Sequence, residues 1–150
     1  MKIAIATDHR GVDIKKNILK MLPNEYEFLD LSVENHPTDD YSDFALAVGK
    51  CVHEGNADYG ILLCGTGIGM SIAANKVRGI RCALVHSLEE AELSRKHNNA
   101  NVLALSSNIN LDDVIKFIKV FIETDFLEED KYMRRINKIT DYENGIKNEY

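Results

Sequence analysis

The sequence has little from which a disulfide framework, a membrane anchor or a nucleic-acid grip could be built. Its three cysteines, Cys51, Cys64 and Cys82, are an odd number without framework spacing, which points to free thiols in a reducing compartment. No apolar run approaches the ~20 residues that span a bilayer. The opening stretch from Met1 to Asp8 is a short apolar run ending in an acid, unlike a secretory leader. The chain is therefore expected in the cytosol. Basic side chains are outnumbered, 18 Lys and Arg against 24 Asp and Glu for a net charge of −6. That balance argues against a general nucleic-acid footprint, but local cations and helix N-termini can still hold an anionic ligand. Histidines and cysteines lack ligand spacing, so no metal site is expected. Repeats, linkers and low-complexity tracts are missing too.

What is present is 150 residues, 45% hydrophobic and 28% charged, enough for one domain with a full core. Short apolar runs alternate with amphipathic stretches. Strands are expected at Ile3–Thr7, Tyr26–Leu31, Tyr59–Cys64, Arg81–Val85 and Val102–Leu105. Helices are expected at Asp13–Leu22, closed by Pro23, at Asp43–His53, through Ile72, Ala73 and Val77, at Leu88–His97 and at Leu111–Ile122. Such alternation implies a doubly wound α/β domain, a three-layer sandwich around a five-stranded parallel sheet. Ligands should bind beyond the carboxyl ends of its strands. The stretch from Leu127 to Tyr150 is charged and poor in large apolar residues. It reads as an appended helix, either a frayed tail or an arm that packs on a partner chain.

Reactive groups collect at the strand ends. The first strand ends at Asp8-His9-Arg10-Gly11 and the third at Cys64-Gly65-Thr66-Gly67-Ile68-Gly69, and the fold brings these two segments to one edge. Cys64 directly precedes a glycine turn and a helix start, whose positive end favours a thiolate able to act as base or nucleophile. Cys51 and Cys82 read as ordinary apolar cysteines. The glycines admit two readings, an oxyanion hole beside Cys64 or a tight turn without a ligand. They match neither the dinucleotide fingerprint nor a P-loop. A lone histidine is first read as a surface residue, but His9 gains weight beside Asp8 at a strand end and His97 in the polar segment Ser94–Asn101, and both suit proton transfer. Lys131, Arg134 and Arg135 form a basic cluster in the tail, either a solvated face balanced by Glu128, Glu129 and Asp130 or a phosphate grip.

Taken in order, Asp8-His9-x-Gly11, Asp40-Tyr41, Cys64-Gly65-Thr66-Gly67-Ile68-Gly69, Ala73-Ala74-Asn75-Lys76, Gly79-Ile80-Arg81 and Ser94-Arg95-x-His97-Asn98-x-x-Asn101-Val102 resemble the ribose-5-phosphate isomerase B family, shared with the galactose-6-phosphate isomerase subunits. The resemblance runs over nearly the whole chain. It implies a cofactor-free aldose–ketose isomerase, a homodimer or homotetramer with active sites shared between subunits. By that resemblance Cys64 is the base for proton transfer between C1 and C2. Thr66 and the amides of Gly65, Gly67, Ile68 and Gly69 hold the enediolate oxygens, and His97 opens the ring. Asp8, Tyr41 and Asn98 contact sugar hydroxyls, while His9 and tail residues from a neighbouring chain hold the phosphate. The family usually has arginine where this chain has Asn108. In the tail it has Arg-His-x-x-Arg where this chain has Lys131-Tyr132-Met133-Arg134-Arg135. Lys131 keeps a charge without the planar fork, and Arg135 keeps both. The altered pocket leaves open another phosphorylated aldose, a hexose 6-phosphate or branched pentose phosphate. A non-catalytic sugar-phosphate-binding module is a further alternative.

Overall fold

Central strands that are buried apolar runs cannot face water on either side, so helices must cover both. The computed structural model of the protein, which describes residues 1–22 and 24–146, has this arrangement. In chain order its elements are β1 (Lys2–Thr7), α1 (Val12–Met21), β2 (Glu27–Asp30), α2 (Tyr41–His53), β3 (Tyr59–Cys64), α3 (Ile68–Ala74), β4 (Cys82–Leu84), α4 (Leu88–Asn98), β5 (Val102–Ser106), α5 (Leu111–Glu123) and α6 (Asp130–Glu143). The sheet is parallel with order β2-β1-β3-β5-β4. Pro23, expected to close the first helix, lies outside the described residues, as do positions 147–150 of the expected tail.

The alternation of side chains along each strand divides the core. Ile3, Ile5, Ile61, Leu63, Leu103 and Leu105 face the layer that holds Ile18, Ala91, Val114 and Phe121 of α1, α4 and α5. Ala4, Ala6, Leu62, Cys64 and Ala104 face Ala45 and Val48 of α2 and Met70 and Ala74 of α3. Small residues on that second face let α2 sit close. A β-carbon at Gly60 would come within 2.5 Å of Val48 Cγ1.

The chain leaves β1 toward β2 on one side and reaches β3 on the other. The crevice at this switch point, beyond the carboxyl ends of β1 and β3, is where an open α/β sheet admits a ligand. The buried Lys15 braces its floor. Its ammonium pairs with Asp30 at 2.8 Å and donates to Ser32 Oγ at 3.0 Å, and Ser32 Oγ accepts from the Thr7 amide at 2.9 Å. This ties the exit of β2 to the residue before Asp8. The helix after the glycine turn is shorter than expected, ending at Ala74 rather than running through Val77. The Asn75 side chain ends it by donating to the Cys82 carbonyl and accepting from the Cys82 amide, at 2.9 and 2.8 Å.

Candidate active site

Cys64 closes β3 with 5% of its surface exposed. The chain then turns sharply, and the Gly67 amide donates to Cys64 Sγ at 3.1 Å. Gly67 sits at φ +77°, and a β-carbon there would lie 2.6 Å from Leu84 Cδ1 and 3.0 Å from the Leu105 carbonyl carbon. The turn is thus available only to glycine, for conformation and for space. It is held from behind, where the Gly65 carbonyl accepts from Ser106 Oγ at 2.8 Å and from Asn108 Nδ2 at 2.9 Å. Thr66 is exposed, and its Oγ1 accepts from the Ile68 amide at 3.3 Å. Tyr41 lies across the turn, close enough that a β-carbon on Gly69 would meet its ring at 2.6 Å.

Beside this turn stands the end of β1. The buried Asp8 accepts from the Arg10 amide at 2.9 Å. His9 Nδ1 pairs with Asp39 Oδ1 at 3.1 Å. Burial pushes the Asp39 carboxyl upward, but hydrogen bonds from Asn35, the His36 amide and His9 outweigh that, and it lies below its ordinary value. It therefore stays a carboxylate and fixes the His9 ring. Asn35 also donates to the Thr7 carbonyl at 2.9 Å. Asp8, His9, Tyr41, Cys64, the turn from Gly65 to Gly69 and Asn108 thus converge on one edge of the sheet. Asn35, Asp39 and Ser106 join them without having been singled out in the sequence. No motif marks the first two, which sit in the long connection after β2, while Ser106 lies one residue past the expected end of the fifth strand and is placed opposite Cys64 only by the register of the sheet.

His97, Asn98, Lys131 and Arg135 do not join them. Helix α4 runs antiparallel to the strands, so its last turn returns to their amino ends. Asn98 and Asn99 supply carbonyls to Arg81, at the entrance of β4, with Nε 3.0 Å from each. Two residues before His97, Arg95 reaches the Tyr59 hydroxyl at the start of β3, at 3.0 Å. Gly60 stands opposite Val102, and Cys64 opposite Ser106. At about 3.3 Å per residue the strand alone sets Cys64 roughly 13 Å from Gly60. His97 stacks on Tyr132 with ring centroids 4.3 Å apart and 16° between planes, and its ring nitrogens make no hydrogen bond among the described residues. Tyr132, the buried residue of α6, anchors that helix on its own chain. Lys131 pairs with Glu129 at 2.8 Å, whereas Arg135 is exposed and free of ion pairs among the described residues. Asn98 also lines a groove of about 480 Å³ with Asn75, Arg81, Cys82, Ile139 and Glu143.

The other two cysteines are unsuited to base chemistry. Burial pushes the Cys82 thiol up to about 12. Burial, and then Glu54, raise Cys51. No cluster of three or more His, Cys, Asp or Glu side chains that could hold a metal occurs among the described residues. No helix among them is long and apolar enough to cross a membrane.

Residues 3–139 match the model of a family described as Ribose/Galactose Isomerase. The structure superposes on a ribose-5-phosphate isomerase B from Mycoplasma genitalium, solved with bound ribulose-5-phosphate. The TM-score is 0.89 at 42% identity, covering 95% of this chain and 96% of that one. A ribose-5-phosphate isomerase B from Clostridium thermocellum superposes with a TM-score of 0.92 at 38% identity, covering 98% and 100%. In sequence, the ribose-5-phosphate isomerase B of Mycobacterium tuberculosis is 32% identical over 146 residues, 95% of this chain and 90% of that protein.

Proposed function

The chain belongs to the ribose/galactose isomerase family, and we propose that it interconverts ribose 5-phosphate and ribulose 5-phosphate through an enediolate, with Cys64 as the base and His97 opening the ring. The observation that carries this reading is the Cys64 turn. An N–H aimed at the sulfur, from Gly67 at 3.1 Å, stabilises negative charge there. Cys64 then takes the proton from C2 of the open-chain aldose and returns it to C1. The turn amides not engaged on Cys64 Sγ or Thr66 Oγ1, together with the Thr66 hydroxyl, face the oxygens on which charge develops. Each such donor contributes about 2.7–4 kcal/mol to the transition state. Asp8 and Tyr41 contact hydroxyls, and His9 faces the phosphate.

His97 cannot serve the Cys64 of its own chain, because the sheet separates them. The site is composite: one chain supplies the carboxyl-edge half, and a second supplies His97, Asn98, Lys131 and Arg135. A two-fold axis creates two such sites at once. The apolar side chains of Ile68 and Ile72, each more than half exposed beside the turn, provide a surface for that second chain. The tail helix therefore works from its own chain's fold while reaching a neighbour's site, in a homodimer or a larger closed assembly.

The test is turnover across a panel of ribose 5-phosphate, a hexose 6-phosphate and a branched pentose phosphate, without added metal. The pentose phosphate should have the highest kcat/KM, and a flat zero across the panel would leave only a binding role. Within that reading, His97→Asn should slow the cyclic sugar phosphate much more than an open-chain substrate. Equal losses on both would mean that the imidazole orients the sugar instead of opening it.

A further inference from the structure

At the carboxyl edge the chain's own contribution to the phosphate site is short of cations, Lys131 and Arg135 being those of the second chain. His9 is engaged by Asp39, and the position at which an arginine is expected carries Asn108. That amide is spent on the Gly65 carbonyl at 2.9 Å. A cation lies on the other side of the same glycine. Arg10 is exposed, and its side chain runs across Gly65: a β-carbon at position 65 would lie 2.8 Å from Arg10 Cδ, 3.4 Å from Nη1 and 3.6 Å from Nε. Its guanidinium pairs with no carboxylate and donates no hydrogen bond among the described residues. An arginine laid over a turn and joined to no carboxylate keeps its planar fork for another anion.

We propose that Arg10 binds the substrate phosphate, supplying from the β1–α1 turn the two-pronged contact that Asn108 does not make. The assignment deepens the isomerase reading and rests on it for the identity of the substrate. It accounts for two features together. Gly65 is bare on the face where Arg10 crosses, and the Arg10 amide is fixed by Asp8 at 2.9 Å, so sugar contact and phosphate contact are set by consecutive turns of backbone. The side chain of residue 10 thus determines whether this edge selects phosphorylated sugars.

The experiment compares the full-length wild type, Arg10→Ala, Arg10→Lys and the double variant Arg10→Ala with Asn108→Arg. Steady-state kinetics on ribose 5-phosphate is paired with the dissociation constant for inorganic phosphate, read by titration calorimetry. Arg10→Ala should raise KM and weaken phosphate binding by about 10- to 100-fold with kcat little changed. Arg10→Lys should fall between, and a guanidinium restored from position 108 should recover affinity. A folded Arg10→Ala protein with unchanged KM and unchanged phosphate affinity would overturn the assignment. So would a loss confined to kcat, which would make Arg10 a brace for the turn. If the wild type isomerised no sugar phosphate yet bound phosphate through Arg10, the isomerase reading would fail and the phosphate site would stand.

Discussion

Cys64→Ala is expected to reduce isomerisation by roughly 100- to 10,000-fold, the range that a positioned acid–base group supplies. Cys51→Ala and Cys82→Ala should retain activity, because burial keeps both as thiols. The loss should fall on kcat, since the substitution leaves in place Asp8, Tyr41 and the glycine amides, the proposed substrate contacts. Cys64 sits in the apolar layer facing α2 and α3, so removing its sulfur leaves a small void and a modest stability loss. A thermal melt and a circular dichroism spectrum separate that loss from catalysis. Near wild-type turnover by a folded Cys64→Ala protein would remove Cys64 from the chemistry and leave the turn as a binding element alone.

Mixing two inactive proteins should restore activity. Chains carrying Cys64→Ala keep an intact His97, and chains carrying His97→Asn keep an intact Cys64. In a two-fold dimer with composite sites, random exchange makes about half the dimers hybrid, and one of the two sites in each hybrid is complete. Activity on the cyclic sugar phosphate should then approach about one quarter of wild type. The measurement needs proof of exchange, by mass spectrometry of differently tagged chains. Exchange without recovery would place His97 outside the site that Cys64 serves.

The sheet and its layers were readable because buried parallel strands leave continuous apolar runs. Tyr59–Cys64 matches β3 residue for residue. Where polar side chains rather than apolar spacing decide an end, the apolar pattern runs past it. Val77 continues the periodicity of Ile72 and Ala73, yet it reaches the core from a turn. A β-carbon on Gly49 would meet Val77 Cγ2 at 2.9 Å, while Asn75 has already closed the helix. The carboxyl-edge half of the site was legible from motifs at the ends of β1 and β3. Asp39 and Asn35 were not, because their roles come from hydrogen bonds across a loop without periodicity. The docking of α6 was hidden for a related reason. It depends on one ring against His97 and on Glu143 accepting from the Gly79 amide at 3.2 and 3.3 Å, and neither contact leaves a pattern in sequence. Arg10 fell within a recognised motif, but at its variable position, where only the conformation of the side chain gives it meaning.

The opposed placement of Cys64 and His97 has a kinetic corollary. Under the composite site proposed above, a folded monomer would hold only half of each site, so folding and activity would become separate events. Dilution below the dissociation constant of the assembly would silence the protein without unfolding it, and specific activity would rise with protein concentration until pairing saturates. After a jump from dilute to concentrated protein, the progress curve would begin with a lag. The lag would shorten in inverse proportion to chain concentration, as a second-order association requires, and would measure association and not the chemistry at Cys64.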